Sequence, residues 1–228
     1  MLYSIIQDQT RFENFVSWLP ELEPHEAFYV TLLARKKYHE SATSDKLALK
    51  RFVATSKDWL VRKVMQLEIP QNRYTTKTGD PLHQDGLALY ISPNPRNLKT
   101  AQKTLLKKLV DVALDQSNIQ NPNALALSEI QKAKSRTCFI DFDFDIDASE
   151  VDPTVTKILD VIGPNAVRFL RTRGGLHALV DPKIAAQSGP KKWHKEISDL
   201  PGCDVVGDSL LPVPGCFQGG FIPHFMDV

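Results

Sequence analysis

The sequence predicts an α+β protein: an N-terminal αβ unit over residues 1–136 packed on a βαββαβ unit over residues 137–228, with an active-site cleft between them. Three observations lead there. Runs rich in aromatic and β-branched residues alternate with segments of helical spacing. The texture changes at Cys138, where shorter elements and dense acidic residues begin. A chain of 228 residues, 42% hydrophobic and 24% charged, has the length and composition of a soluble globular protein able to bury a core.

Residues 9–18 read as a short helix that stops before Pro20. Residues 27–36 (AFYVTLLARK) read as a strand. Residues 45–67 show helical spacing, with Leu47, Phe52, Trp59, Leu60, Val64 and Leu67 as the apolar side. Residues 70–85 are polar and turn-rich. Residues 86–92 (GLALYIS) form a second strand, ended by Pro93 and Pro95. Residues 97–114 give the clearest helix, capped by Asn97, with Leu98, Ala101, Leu105, Leu109 and Val112 as its stripe. A loop follows at 118–123 and a short helix at 125–133.

The second half predicts a strand at 138–146, a helix at 154–161 and a strand at 166–170. A Gly174-Gly175 turn, a strand at 176–180, a helix at 191–200 and a broken strand at 204–213 complete it. That order is close to a ferredoxin-like or RRM-like unit.

No apolar run approaches the ~20 residues of a membrane span, and the N-terminus lacks the pattern of a secretory signal. The expected location is the cytosol, with no membrane partner. Cys138, Cys203 and Cys216 show no CxxC spacing and read as free thiols. Net charge is +1, but residues 99–136 are rich in lysine while residues 141–160 are strongly acidic. A basic part beside an acidic site suits a polyanion that must meet metal ions. The plainer reading of Lys99, Lys103, Lys107 and Lys108 is a solvated helix face.

The segment CFIDFDFDID, residues 138–147, carries the chemistry. On a strand, Asp141, Asp143, Asp145 and Asp147 share one face, and Phe142, Phe144 and Ile146 the other. Like charges stacked along one face need neutralising. Hard divalent cations with oxygen ligands do this, and paired ions stabilise phosphoryl displacement. Asp145 and Asp147 read as solvated strand-end residues. An EF-hand is excluded, because Ile146 would stand where that loop requires Gly and Asp152 where it requires Glu. In RTRGGLHALV, residues 171–180, Arg171 and Arg173 suit phosphate oxygens, and Gly175 lets backbone approach a ligand. His177 sits in an apolar strand beside them. In the stretch 202–215, Asp204 can stand beside the first carboxylates, with Asp208 as the competing candidate.

These three elements, in this order, resemble the catalytic core of archaeo-eukaryotic primases, the primase-polymerase superfamily. The first motif looks like Phe139-Ile140-Asp141-Phe142-Asp143, the second Arg173-Gly174-Gly175-Leu176-His177, and the third Cys203-Asp204 with its Pro-containing tail. The resemblance implies a DNA primase or primase-polymerase fold spanning nearly the whole chain. It also implies nucleotidyl transfer to a 3′-hydroxyl on a single-stranded DNA template, serving a plasmid, phage or mobile element. It implies Mg²⁺ or Mn²⁺ on Asp141, Asp143 and Asp204, with His177 and Arg173 on the triphosphate of an incoming nucleoside triphosphate. Ser92-Pro-Asn-Pro-Arg96 is similar to an Asn-Pro-Arg stretch of some relatives, in which Arg96 would face nucleotide or template; a surface arginine at a strand end is the alternative. Many relatives carry a basic residue beside the third motif's Pro, where this chain has Leu210, Leu211 and Val213. The chain shows no zinc stem and no P-loop, so a helicase would be a separate polypeptide. Two other readings fit the same residues: a single-strand binding module with a decayed site, and a metal-dependent nuclease.

Overall fold

A computed structural model describes residues 1–114 and 121–228. The expected loop at 118–123 lies outside the described residues up to 120; Asn121 caps a helix, its Oδ1 accepting from the Asn123 and Ala124 N–H groups.

The first half runs α1 (Gln9–Trp18), β1 (Glu26–Ala34), β2 (Leu47–Ala54), α2 (Lys57–Met65), β3 (Leu87–Ile91), β4 (Arg96–Asn97), α3 (Leu98–Leu114) and α4 (Pro122–Lys132). The second runs β5 (Ile140–Asp145), α5 (Ala148–Ile162), β6 (Val167–Arg171), β7 (Gly175–Val180), α6 (Pro182–Ser188), α7 (Trp193–Ser198), β8 (Cys203–Gly207), β9 (Leu211–Pro212) and β10 (His224–Phe225). The α+β class is as the sequence predicts, with two antiparallel sheets among the described residues.

One element departs from expectation. Residues 45–67 are not one helix but a strand, β2, followed by α2. Leu47 and Leu49 are two residues apart, which is a strand period and not a helical one, and both pack on the first core. The ladder to β1 decides the outcome, pairing Phe28 through Leu32 with Ala54 through Lys50. Ser56 then starts α2 by accepting from Trp59 N–H at 3.1 Å. Trp59 itself is exposed and lies under Lys63 Nζ at 4.8 Å, so it is not part of the buried side. The helix α6 was not expected, although Asp181-Pro182 is a capping signal and Asp181 Oδ1 accepts from Lys183 and Ile184 N–H groups.

The first sheet has the order β2-β1-β3-β9, with β4 on the end of β1. One face, Phe28, Val30, Leu32, Leu87, Leu89 and Ile91, packs on α1 and α2. The second sheet has the order β10-β6-β7-β5-β8. Phe142 and Phe144 are fully buried against Val151, Val155 and Ile158 of α5 and Trp193 and Ile197 of α7. That burial commits the other face of β5, bearing the aspartates, to the side away from these helices. Leu170, Leu179 and Leu211 form a third, smaller cluster with Trp18, Phe139 and Phe225, where the aspartate face meets the first unit. No described helix is long and apolar enough to cross a membrane.

The basic stretch is partly neutralised. Lys108 and Lys132 both reach the buried Glu129, and Arg136 reaches Glu26. Lys99, Lys103 and Lys107 remain exposed on α3, as a solvated helix face.

Candidate active site

Strand β5 is central in its sheet, between β7 and β8, so its residues are held on both sides. Register places Asp143 opposite His177 on one side and Val205 on the other; Asp141 stands between Leu179 and Gly207. Paired residues share a face. The result is a compact constellation. His177 Nδ1 lies 3.0 and 3.1 Å from the two Asp141 oxygens, and its Nε2 lies 3.4 Å from Asp143 Oδ1. Asp141 is buried and hydrogen-bonded; Asp143 is half-exposed. As the side chains stand, both ring nitrogens of His177 are engaged by carboxylates.

The electrostatics follow from burial and crowding. Burial opposes charge on His177, yet the Asp141 and Asp143 carboxylates outweigh it and hold its pKa above the ordinary value. Burial raises the Asp143 carboxyl; His177 pulls it down, while Asp141, Asp204 and Asp145 push it further up. The net direction is upward. Burial raises the Cys203 thiol, and the Asp143, Asp141 and Asp204 carboxylates add to it, so it is a poor nucleophile.

The remaining residues sort clearly. Asp204 is exposed on β8, close enough to act on Asp143, and has no ion-pair partner among the described residues. Asp208 is spent: Arg96 Nη1 donates to its Oδ2 at 2.5 Å and Asn94 Nδ2 to its Oδ1 at 2.8 Å. Arg96 is therefore neither a surface arginine nor open to a ligand; it is 3% exposed and holds the end of β8. Asp147 is the cap of α5, its N–H donating to Glu150. Asp145 is exposed at the end of β5.

Arg171 turns back on its own hairpin, donating to the Gly175 carbonyl. Gly175 is required by packing: a Cβ there would stand 1.9 Å from the Phe144 carbonyl oxygen. Arg173 is exposed and lies over the Tyr38 ring at 4.7 Å. Its N–H donates to Gln218 Oε1, and Gln218 Nε2 donates to Tyr38 Oη. Gly219 closes this contact, since a Cβ would stand 2.5 Å from Tyr38 Cγ and 2.8 Å from Arg173 Nη1.

A cleft of about 500 Å³ opens beside Asp208, Ser209 and Leu210. Its other wall is the outer face of the first sheet: Tyr29, Thr31 and Tyr90, with the cations Arg35, Lys46 and Arg51. Arg35 Nη1 donates to Tyr90 Oη at 2.6 Å, while its Nε is buried with no hydrogen-bond partner among the described residues. These cations were not singled out in the sequence. Arg35 and Lys46 come from the segment between β1 and β2 and Arg51 from β2, and only the ladder that pairs Thr31 with both Arg51 and Tyr90 brings them together.

The donor set suits a hard divalent cation: carboxylates at Asp141, Asp143 and Asp204, with Asp143 raised by burial first and by the neighbouring carboxylates after it. Among the described residues no three such side chains are already convergent enough to hold an ion. No family model, curated protein or solved structure matches the chain.

Proposed function

We propose that the chain is a nucleotidyltransferase of the primase-polymerase type, acting on a single-stranded DNA template with nucleoside triphosphates. The observation that carries this reading is the Asp141–His177–Asp143 constellation on the face of a central strand turned away from α5 and α7, with Asp204 on the neighbouring strand. The strand order β6-β7-β5-β8, with α5, α6 and α7 in the crossovers, supports the RRM-like reading of this unit. The burial of Phe142 and Phe144 argues against a sheet that reads bases by exposed aromatics.

Asp141, Asp143 and Asp204 would hold Mg²⁺ or Mn²⁺. Bound there, such ions neutralise charge on a transferring phosphate and lower the pKa of an attacking hydroxyl. Asp204 is preferred over Asp208 because Asp208 already compensates Arg96. In the absence of a cation, His177 donates from Nδ1 to Asp141 and offsets the carboxylate charge. Arg173, on the rim, is the arginine of its motif free to meet phosphate. Arg35, Lys46 and Arg51 stand in for the basic residue absent beside Pro212, lining the cleft next to Leu210 with positive charge.

The test is primer synthesis and extension on single-stranded DNA with Mg²⁺ or Mn²⁺, comparing wild type with Asp141→Asn/Asp143→Asn. Product from wild type and none from the variant is the expected result. No product from wild type under any metal and nucleotide combination sinks the polymerase reading, and metal-dependent shortening of the DNA in its place assigns a nuclease.

A further inference from the structure

The cleft beside Asp208 carries uncompensated positive charge. Arg35, Lys46 and Arg51 line it, and none of the three has an ion-pair partner among the described residues. The carboxylate in its lining, Asp208, is already spent on Arg96 and Asn94. Tyrosines hold the arginines instead. Arg35 Nη1 donates to Tyr90 Oη at 2.6 Å. Arg51 stands beside the Tyr29 hydroxyl, which burial raises and the Arg51 guanidinium pulls down. Both rings are buried, so they anchor the guanidinia through their hydroxyls and offer no face for stacking. A hydroxyl is neutral, and each arginine keeps its full charge. Arg35 Nε is buried without a hydrogen-bond partner among the described residues, a donor whose desolvation nothing offsets.

We propose that this cleft binds a phosphate chain, held by Arg35 and Arg51 with the exposed Lys46, and that it does so without a metal ion. The chemistry fits. Guanidinium forks match phosphate oxygens, and grouped cations without a free carboxylate favour a ligand with several negative charges over one. Ser209 and Gln131 add neutral donors to the lining. The place in the fold fits as well. Arg35 and Arg173 lie over the same Tyr38 ring, at 5.4 and 4.7 Å from its centroid. Arg173 precedes the Gly174-Gly175 turn into β7, the strand of His177. On the other side, Asp208 follows Gly207, which pairs with Asp141. A phosphate chain in the cleft is thus led toward the carboxylates. Two sources carry that chemistry: the triphosphate of a nucleotide and the backbone of a single strand. The assignment rests on the nucleotidyl-transfer reading for its role, and on the cleft alone for its anion.

The probe is inorganic tripolyphosphate, titrated calorimetrically into the full chain at low salt with a chelator present. Wild type, Arg35→Gln/Arg51→Gln, Lys46→Glu and Asp141→Asn/Asp143→Asn are compared, each checked for a native circular dichroism spectrum. Wild type is expected to bind tripolyphosphate, and orthophosphate about tenfold more weakly. The arginine variant is expected to lose about tenfold in affinity, the worth of one charged hydrogen bond. Lys46→Glu, at an exposed side chain that folding does not need, is expected to lose about threefold. The carboxylate variant is expected to bind at least as tightly as wild type. Displacement by a nucleoside triphosphate assigns the first source, and displacement by an oligothymidylate of about 16 nucleotides the second; either supports the cleft. Primer extension that fails while tripolyphosphate still binds would dismiss the polymerase reading and leave the cleft standing. No binding by wild type overturns the proposal, as does unchanged affinity in both the arginine variant and Lys46→Glu. Binding that appears only once Mg²⁺ is added also overturns it, and moves the anion to the carboxylates.

Discussion

His177 is sealed between two carboxylates, and its protonation is tied to the stability of the metal-free protein. Its pKa lies above the ordinary 6.5, so the folded chain holds this proton more tightly than the unfolded chain. The stability it contributes is fully present below pH 6.5 and is lost as pH rises through the folded value. Asp143 acts in the same direction at lower pH. Its carboxyl is raised above 3.8, so its contribution is present below that value and lost as pH rises through the folded one. Both slopes are negative. The unfolding midpoint of chelator-treated protein is therefore expected to fall from about pH 6 to about pH 8. His177→Gln, which keeps an N–H toward Asp141 but cannot titrate, should flatten that fall. Thermal scans at the two pH values decide it; a midpoint that rises over this range would contradict the assignment.

At the scale of elements, β5 is positioned from outside its own sheet. Asn94, 1% exposed, accepts from Cys138 N–H at 2.7 Å and Phe139 N–H at 2.9 Å, and donates to the Phe139 carbonyl. Its remaining N–H goes to Asp208. One amide therefore fixes both the entry to β5 and the exit of β8, the two strands that carry the carboxylates. Asn94→Ala leaves three backbone groups without partners and is expected to cost about 3 kcal/mol. Urea unfolding measures it; a cost under about 0.5 kcal/mol would show that β5 is held by its ladders alone. This staple also marks the limit of what the sequence discloses. The alternation in residues 138–147 reveals β5, its buried face and its acidic face, because strand geometry is local. The segment 45–67 deceives, because Leu47 and Phe52 lead without a break into the apolar stripe of α2, while the strand period of Leu47 and Leu49 shows only in the pairing with β1. Asp208 looks like a possible ligand until Arg96, 112 residues away, is seen on it. The basic cleft is invisible for the same reason: its cations converge only through strand register.

The whole molecule is threaded so that neither half is complete alone. The chain leaves the second sheet at Gly207, crosses at Asp208, and adds β9 to the first sheet beside Tyr90 and Ile91. Val213 and Cys216 then enter the first core, and Gln218 bridges to Ala88. The last segment returns to the second sheet as β10, pairing with β6. A fragment of residues 1–136 would lose the β9 edge and two buried side chains of its core, and would uncover Leu89 and Ile91. Loss of buried apolar groups costs about 2–5 kcal/mol for each large residue, comparable to a small domain's entire stability. Residues 1–136 alone are thus expected to be unfolded or to melt well below the full chain. The full chain should melt in one transition, with circular dichroism and tryptophan fluorescence coincident. Trp18 and Trp59 report the first unit and Trp193 the second, so Trp18→Phe/Trp59→Phe isolates the signal of the second core. Separate midpoints for that variant's fluorescence and its circular dichroism would show two independent folding units. In that case the β9 crossover would be a docked tail, and the cleft between Asp208 and Arg35 would open without unfolding either sheet.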